Sequence, residues 1–306
     1  MIRSNQISSV VKPLALLCFF LFLGRSYQHL FWDAPYRTLL WDEAWLEGMV
    51  NWFGLDWKSY VTSAQADRTI QLFIKLTGIL YLVCALICLA MQNGRFKRLQ
   101  PILKMGILSL AFLFFLTTKE RFFHIGQFLE HSAQLISPIL LLYLVNQKLS
   151  MEKFQRLLKI AIALTFSCHG LYAIGYYPRP GVFVDMTINI FGCSEAFAHQ
   201  FLWWAGLLDF VVALFLFIPH PKFQKTAIYY TLIWGLVTAL ARTVAFVDWS
   251  FPLQTLHQNL YQTIFRLPHA GLPFILGITM GYFFWKKRSK QTIQANQEIA
   301  FPSQGN

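Results

Sequence analysis

The chain has 306 residues, of which 56% are hydrophobic, 17% are aromatic and only 13% are charged. Soluble globular proteins carry about 25% charged residues, so this composition excludes an ordinary soluble domain and predicts a membrane protein. In a soluble protein the formal net charge of +12 would indicate nucleic acid as a partner, so the positions of the basic residues must decide between the two interpretations.

Eight apolar stretches follow one another along the chain, and each comes close to the length that crosses roughly 30 Å of hydrocarbon. They lie at 14–31, 71–91, 103–118, 126–146, 157–177, 199–218, 226–247 and 268–285. The first stretch has no small-residue cleavage pattern after it and is predicted to be retained rather than removed as a signal peptide. The sequence therefore predicts an all-α, polytopic integral membrane protein with about eight transmembrane helices.

The connections between these stretches alternate in charge. Connections on one side, beginning with the N-terminal segment, hold the basic excess, whereas those at 24–70, 117–132, 177–198 and 248–268 are neutral or acidic overall. The positive-inside rule then places both termini in the cytoplasm and predicts a cell membrane, such as a bacterial inner membrane. Topology explains the basic excess, with the lipid bilayer and no nucleic acid as partner; a specific anionic-lipid site is the alternative.

The long outer loop at 31–70 is rich in tryptophan. Trp41, Trp45, Met49 and Trp52 recur at helical spacing, which predicts an amphipathic helix in the outer interface with its tryptophans at headgroup depth. A lid over an outward cavity and a docking surface for a protein partner are the alternatives.

The two halves of the chain show a weak internal similarity. Leu72–Ala90 aligns without a gap on Gln200–Ile218, and His131 and His269 begin the fourth and eighth stretches in similar surroundings. Chance similarity between apolar helices is the competing explanation. The alignment predicts two parallel four-helix repeats, at 1–148 and 149–290, followed by a disordered cytoplasmic tail at 291–306.

Two segments of the second repeat, FSCHGLYAIGYYPRPG at 166–181 and FLWWAGLLDFVVALFLF at 201–217, resemble the DoxX-like membrane proteins. The matching positions are His169 and Gly170 in the first segment, and Gly206 and Asp209 in the second. The first repeat resembles the family less, with Tyr81 at the position of the acid. The resemblance implies a four-helix bundle in each repeat and a membrane subunit of a quinone-linked oxidoreductase, with a separate redox protein as electron donor.

Ionisable residues inside the apolar stretches are candidate site residues, since a charge in hydrocarbon costs about 2.5–3.5 kcal/mol on insertion scales. Asp209 and Arg242 predict either a structural ion pair or a proton or ligand site, and Glu195 with His199, one turn apart, predicts an acid/base or structural pair. Two polar stripes with matching spacing each follow one helical face, and they either line a polar cavity that opens outward or join helices by hydrogen bonds. They are His124, Gln127, His131 and Gln134, and Asn259, Gln262, Arg266 and His269.

Cofactor motifs are sparse in this sequence. The five cysteines form no CxxC pair, and HExxH and CxxCH are absent, so no metal site is predicted. Haem between two of the histidines His131, His169, His199 and His269 stays open, because a sequence does not show which rings face each other. Quinone is the cofactor that the resemblance favours.

Two classes of function fit these patterns. The first is a redox-linked subunit that binds quinone or another lipophilic molecule in an outward-facing polar cavity, with the candidate residues Asp209, Arg242, His169, Glu195, His199, His131 and His269. The second is a non-enzymatic transporter, or an assembly partner of an envelope complex. The small number of interrupted helices disfavours a transporter, and the aromatic outer loop favours a docking role.

Overall fold

The computed structural model describes residues 2–91 and 97–283, with side chains over 10–91 and 98–283. All regular secondary structure in these ranges is helical. The helices are α1 (Ile2–Phe31), α2 (Arg37–Leu40), α3 (Glu43–Trp52), α4 (Trp57–Val61), α5 (Ala64–Met91), α6 (Gln100–Glu120), α7 (Ile125–Leu129), α8 (Ser132–Val145), α9 (Met151–Ile174), α10 (Gly181–Phe191), α11 (Glu195–Phe215), α12 (Pro221–Val244), α13 (Pro252–Arg266) and α14 (Pro268–Thr279). The tail predicted at 291–306 lies outside the described residues.

Six of the described helices are long and apolar enough to cross a membrane: α1, α5, α6, α9, α11 and α12. They coincide with the first three predicted stretches and with the fifth, sixth and seventh. The prediction of a polytopic all-α membrane protein is therefore confirmed. The fourth predicted stretch covers two helices, α7 and α8, and the eighth begins at α14, which directly follows α13.

The fourth predicted stretch is divided between α7 and α8 at Glu130 and His131. The His131 imidazole Nδ1 lies 2.8 Å from the carbonyl oxygen of Gln127, the position that the His131 backbone N–H would occupy in a regular helix. That N–H donates instead to Phe128, at 3.2 Å. At this break the imidazole takes the place of the backbone donor on the Gln127 carbonyl.

The eighth predicted stretch begins at Pro268, the first residue of α14, which follows α13 through Leu267. Pro268 has no backbone N–H to continue the hydrogen-bond ladder of α13. Proline marks this junction in the sequence, whereas no proline or glycine stands at the break at Glu130 and His131.

The connections gather at two ends of the helical bundle. At one end, Gln100 and Asn146 exchange side-chain hydrogen bonds, and Gln155 Nε2 donates to the carbonyl of Thr279 at 3.0 Å. We name this the basic end, because its connections carry the basic excess of the sequence. At the opposite end, Trp32 Nε1 donates to the carbonyl of His257 at 3.2 Å, and Lys119 pairs with Asp42.

Close helix contacts depend on glycines. A Cβ added to Gly206 would lie 2.9 Å from the carbonyl oxygen of Gly170, and one added to Gly170 would lie equally close to that of Gly206. Helices α9 and α11 therefore pack backbone against backbone. In the first half, Gly78 lies against His29 and Leu30, where α5 packs on α1.

The predicted tryptophan-rich helix forms as α3, begun by Asp42, whose side chain accepts a hydrogen bond from the backbone N–H of Trp45. Trp45 and Trp52 are 52% and 80% exposed, and Met49 is 50% exposed. Trp41 ends α2 rather than belonging to this helix. A helix therefore forms at 43–52, and its placement in the outer interface stays a prediction.

Candidate functional site

The two helix breaks bring ionisable side chains into the interior of the bundle. Glu130 lies at the α7–α8 break and is buried between two histidines, with its carboxylate oxygens 3.8 Å from His131 Nδ1 and 3.8 Å from His169 Nε2. His269, at the start of α14, packs on His169 with ring centroids 5.3 Å apart. The structure thus brings together three of the predicted site residues around an acid that the sequence analysis did not select.

Each of these three histidines has its Nδ1 close to a carbonyl oxygen of its own helix or turn. The distances are 2.8 Å from His131 to Gln127, 2.9 Å from His169 to Thr165 and 2.9 Å from His269 to Arg266. A carbonyl only accepts hydrogen bonds, so Nδ1 carries the hydrogen in each ring. In the neutral imidazole Nε2 is then free to accept a hydrogen bond or a proton.

Arg25 is a further buried member of this cluster, with 3% of its surface exposed. Its guanidinium donates to Gln134 at 2.7 Å and to Gln28 at 2.9 Å, and it stacks over the Phe265 ring at 3.8 Å from the centroid. The contact with Gln134 is an interhelical hydrogen bond of the kind proposed for the polar stripes. We name Arg25, Glu130, His131, Gln134, His169 and His269 the buried polar cluster.

Two members of this cluster were missed at the sequence level. Arg25 lies within the first predicted stretch, 14–31, but also within the range 24–70 whose charge is that of an outer connection. Glu130 stands next to His131, and one regular helix over the fourth stretch would not turn both side chains inward. The sequence did contain a signal for Arg25, because it lies one helical turn before His29 within an apolar stretch.

A cavity of about 140 Å³ adjoins the buried polar cluster in the second half of the chain. Helices α9, α10, α11 and α12 form its walls, and the junction of α13 and α14 contributes Arg266 and His269. Helix α10 presents one face to it, with Phe183, Met186, Thr187 and Ile190 at i, i+3, i+4 and i+7. Most of the lining is apolar, and the ionisable groups are Asp209, Arg242, Arg266, His169 and His269.

Asp209 and Arg242 lie toward different ends of this cavity. Helix α11 begins and helix α12 ends at the opposite end of the bundle. At 1.5 Å per residue, Asp209 lies about 20 Å from the first residue of α11, whereas Arg242 lies only about 3 Å from the last residue of α12. The buried Asp209 carboxyl accepts a hydrogen bond from the hydroxyl of Tyr230 at 3.0 Å instead. The structural ion pair predicted between Asp209 and Arg242 does not form.

Neither cavity arginine is paired with an acid of the described chain. No carboxylate oxygen in residues 10–91 or 98–283 lies within 4.0 Å of the Arg242 or Arg266 guanidinium. Both guanidinium groups lie over aromatic rings. The guanidinium carbon of Arg242 is 5.4 Å from the centroid of Phe183, and that of Arg266 is 4.9 Å from the centroid of Phe265. Two cationic groups therefore border an apolar space without a countercharge in contact.

The predicted pair of Glu195 and His199 forms, but away from the buried polar cluster. His199 Nε2 lies 3.4 Å from the Glu195 carboxylate, and both side chains are largely exposed at the start of α11. Arg179 donates to the other ring nitrogen of His199 and to the carbonyl of Ala173 at 2.9 Å. This arrangement fixes the connection between α9 and α10, which supports the structural interpretation of the pair.

The arrangement of the histidine, cysteine and acidic side chains bears on metal and haem binding. Over residues 2–91 and 97–283, no group of three or more His, Cys, Asp or Glu side chains is arranged to hold a metal ion. The rings of His169 and His269 are in contact at 5.3 Å, so a haem does not fit between this pair. No protein-family model, curated protein or solved structure matches the chain.

Proposed function

We propose that this multi-pass membrane protein binds a lipophilic small molecule in the cavity between α9, α10, α11 and α12. The observation that carries the proposal is an apolar space inside the helical bundle with ionisable groups concentrated on part of its wall. Ligand sites are typically concave and mostly apolar, with a few convergent polar groups that orient the ligand. Polar groups at that depth must be satisfied by protein, water or ligand, because hydrocarbon offers no partner.

Quinone is the ligand class that the DoxX-like resemblance favours, and a redox-linked subunit is the corresponding activity. The guanidinium groups of Arg242 and Arg266 are hydrogen-bond donors of the kind that a quinone carbonyl needs. A quinone that is reduced takes up two electrons and two protons. His169 and His269, once protonated on Nε2, would deliver protons to it, and the electrons would have to come from a separate redox protein.

We also propose that the chain consists of two parallel repeats and spans the membrane eight times. Helix α1 packs on α5 as α9 packs on α11, and α8 packs on α1 as α14 packs on α9. With α7–α8 and α13–α14 taken as interrupted spans, each half has four. The positive-inside rule places the basic end in the cytoplasm, so that the cavity arginines lie toward the outer face.

A carrier is the second candidate, favoured by the two helix breaks. Discontinuous helices mark the substrate sites of many transporters, and both breaks here border the buried polar cluster. The exposed tryptophans of α3 support the assembly alternative less directly, since an interfacial anchor leaves the same residues exposed.

The test of ligand binding is extraction of the full-length protein purified in mild detergent, followed by mass spectrometry of the solvent-soluble material. Ala205→Phe places a large ring in the cavity, and Leu208→Phe adds the same ring on the exposed face of the same helix. We expect a lipophilic molecule in the wild type and Leu208→Phe samples and its loss from Ala205→Phe. Equal recovery from all three would overturn the proposed site.

Redox work is tested separately with decylubiquinone. The redox reading predicts saturable binding that weakens in His169→Ala and in Asp209→Asn, whereas a carrier predicts uptake into proteoliposomes without a bound redox partner. If both variants bind the quinone like the wild type, a quinone function for this cavity is wrong.

A further inference from the structure

The charge balance around the cavity narrows the class of ligand. Arg25 and Glu130 are buried in the opposite-end half, and Arg242 and Arg266 are partly exposed on the cavity wall. Glu130 offsets one of these three positive charges at most, and Arg25 is held by glutamine side chains. The region therefore has more fixed positive than negative charge, and the unmatched part of it borders the cavity.

Arg242 and Arg266 keep their positive charge in the cavity wall. A guanidinium does not lose its proton in proteins, so withdrawal from water cannot neutralise it. Both groups are partly exposed on the cavity wall, where a charge beside an apolar surface is unfavourable without a partner, and a countercharge in contact lowers that cost. With no described carboxylate within 4.0 Å of either group, an anion in the cavity is the natural partner.

The shape of the lining indicates how the rest of the ligand is built. From Arg242 the cavity continues along the apolar face of α10 and past Ala205 toward Asp209. The distance along the helix axes between these ends is about 20 Å, which suits an extended chain rather than a small ion. A carboxyl at the Asp209 end disfavours an anion there, so a charged head is directed toward the arginines.

We propose that the cavity binds a single-chain amphiphile with an anionic head, a carboxylate or a phosphate, held by Arg242 and Arg266. Its hydrocarbon chain lies against Phe183, Met186 and Ile190 and ends near Asp209. Guanidinium groups suit both heads, because their paired N–H donors match the two oxygens of a carboxylate or phosphate. This inference rests on the proposed function and names the ligand class for the same site.

The experiment uses full-length protein in phosphatidylcholine nanodiscs, with empty discs as the background. Four labelled probes are compared: myristate, tetradecyl phosphate, the uncharged methyl myristate and decylubiquinone. We expect at least one of the two anions to bind about tenfold or more tightly than the ester, because truncating one partner of a buried charge pair costs that much or more. Inorganic phosphate and acetate are added as competitors, and little competition is expected from either.

Arginine variants test which groups recognise the head. Arg242→Gln and Arg266→Gln are each expected to lose most of the preference for the anion over the ester, while Arg242→Lys retains part of it. Arg68→Gln is the matched control, since Arg68 is exposed on α5 and does not line the cavity. Circular dichroism and size-exclusion chromatography establish that each variant is folded before its binding is compared.

The outcomes separate this inference from the proposed function. Equal binding of ester and anions, unchanged in the arginine variants, would overturn the anionic head and leave lipophilic binding intact. Absence of specific binding for all four probes would overturn both. Competition by inorganic phosphate or acetate at the concentration of the amphiphile would show a site for free anions and overturn the role of the chain. A preference for myristate or for tetradecyl phosphate supports the inference and identifies the head.

Discussion

The two halves of the chain have different interiors. In the first half, α1, α5 and α6 contribute Phe22, Tyr81 and Phe114, which are all fully buried. In the second half, α9, α11 and α12, which the proposed repeat matches to these helices, line the cavity. The predicted alignment sets Tyr81 against Asp209, a large aromatic ring against a small carboxyl group.

If the proposed repeat holds, one helical framework gives a filled core in one half and a binding space in the other. The helices that it pairs are joined by a hydrogen bond in each half, Tyr81 to Ser109 at 3.0 Å and Tyr230 to Asp209 at 3.0 Å. What differs is the volume of the side chains beside that bond. The first half is suited to support the bundle, and the second half is suited to hold a ligand.

Removing an aromatic ring from the filled half should have the largest effect on stability. Phe22→Ala would leave a new cavity beside Tyr81, and we expect a loss of about 3 kcal/mol. That figure is at the low end for phenylalanine, because unfolded helices in lipid keep their apolar surroundings and only the packing loss counts. Unfolding in mixed micelles, followed by circular dichroism, measures it.

Phe183→Ala is the matched change in the second half. Phe183 borders space that is already open, so its removal enlarges the cavity and should cost about 1 kcal/mol or less. Equal losses for the two variants would contradict the contrast between a filled and an open half.

Closing the glycine contact between α9 and α11 should have the next largest effect. A Cβ at Gly206 would come within 3.0 Å of the backbone of Gly170 and of the side chain of Ile174, so Gly206→Ala forces the helices apart. We expect a loss of about 2 kcal/mol from this overpacking. The same unfolding measurement checks it, together with ligand binding, because α9 and α11 are both walls of the cavity.

Gly48→Ala is the control for this substitution. Gly48 lies within α3, and nothing stands within 4 Å of an added Cβ. Alanine there should be neutral or stabilising by up to about 1 kcal/mol, through helix propensity alone. A similar loss at both glycines would show that the α9–α11 approach is not the cause.

Much of the fold could be predicted because the apolar runs, basic connections and tryptophan spacing are each encoded within a short stretch of sequence. The break at His131 was not predicted, since the same contact between an imidazole and a carbonyl one turn earlier leaves α9 continuous at His169. Apolar flanks on both sides of His131 look like one continuous span. The junction at Pro268 had a sequence signal, because proline cannot continue the hydrogen-bond ladder of the preceding helix.

The candidate site was predicted in composition more than in arrangement. Asp209 and Arg242 were paired because each is a lone charge in a neighbouring span, yet antiparallel helices put them at different depths. His131, His169 and His269 do meet, although no spacing rule links residues on three separate helices. Their common acid, Glu130, lies inside an apolar run, where only the three-dimensional break reveals its direction.

The paired hydrogen bonds of the two halves offer a smaller test. Tyr230→Phe leaves the buried Asp209 carboxyl without its described donor, and a loss of about 1 kcal/mol is expected. Tyr81→Phe removes a bond between hydroxyl groups and should cost about half as much, since Ser109 is only partly buried. Both values come from equilibrium unfolding in micelles. A larger loss for Tyr81→Phe would reverse the expected order, and with it the view that the second half carries the more demanding polar group.

The smallest expected effect concerns the outer connection of the first half, which a charged contact ties to α6. The Lys119 ammonium donates to the Asp42 carboxylate, and this hydrogen bond, together with those from the backbone of α3, lowers the pKa of Asp42. A carboxyl group whose pKa is lower in the folded state than in the unfolded state stabilises the folded state at pH values above its unfolded-state pKa of about 4. This contribution is lost as the pH falls through the folded-state pKa. In the second half, the neighbouring connection relies on the apolar face of α10.

Trp45 stacks on Phe123 and lies near Lys119, so its fluorescence reports this docking directly. Acidification below about pH 4 should release α3 in the wild type, whereas Asp42→Asn should show a weaker dependence on pH over the same range. Glu47→Gln is the control, because Glu47 is exposed on α3 and forms no ion pair within the described chain. An identical acid transition in wild type and Asp42→Asn would show that the charged contact does not hold α3, and that aromatic packing on Phe115 and Phe123 docks it, much as α10 is docked in the other half.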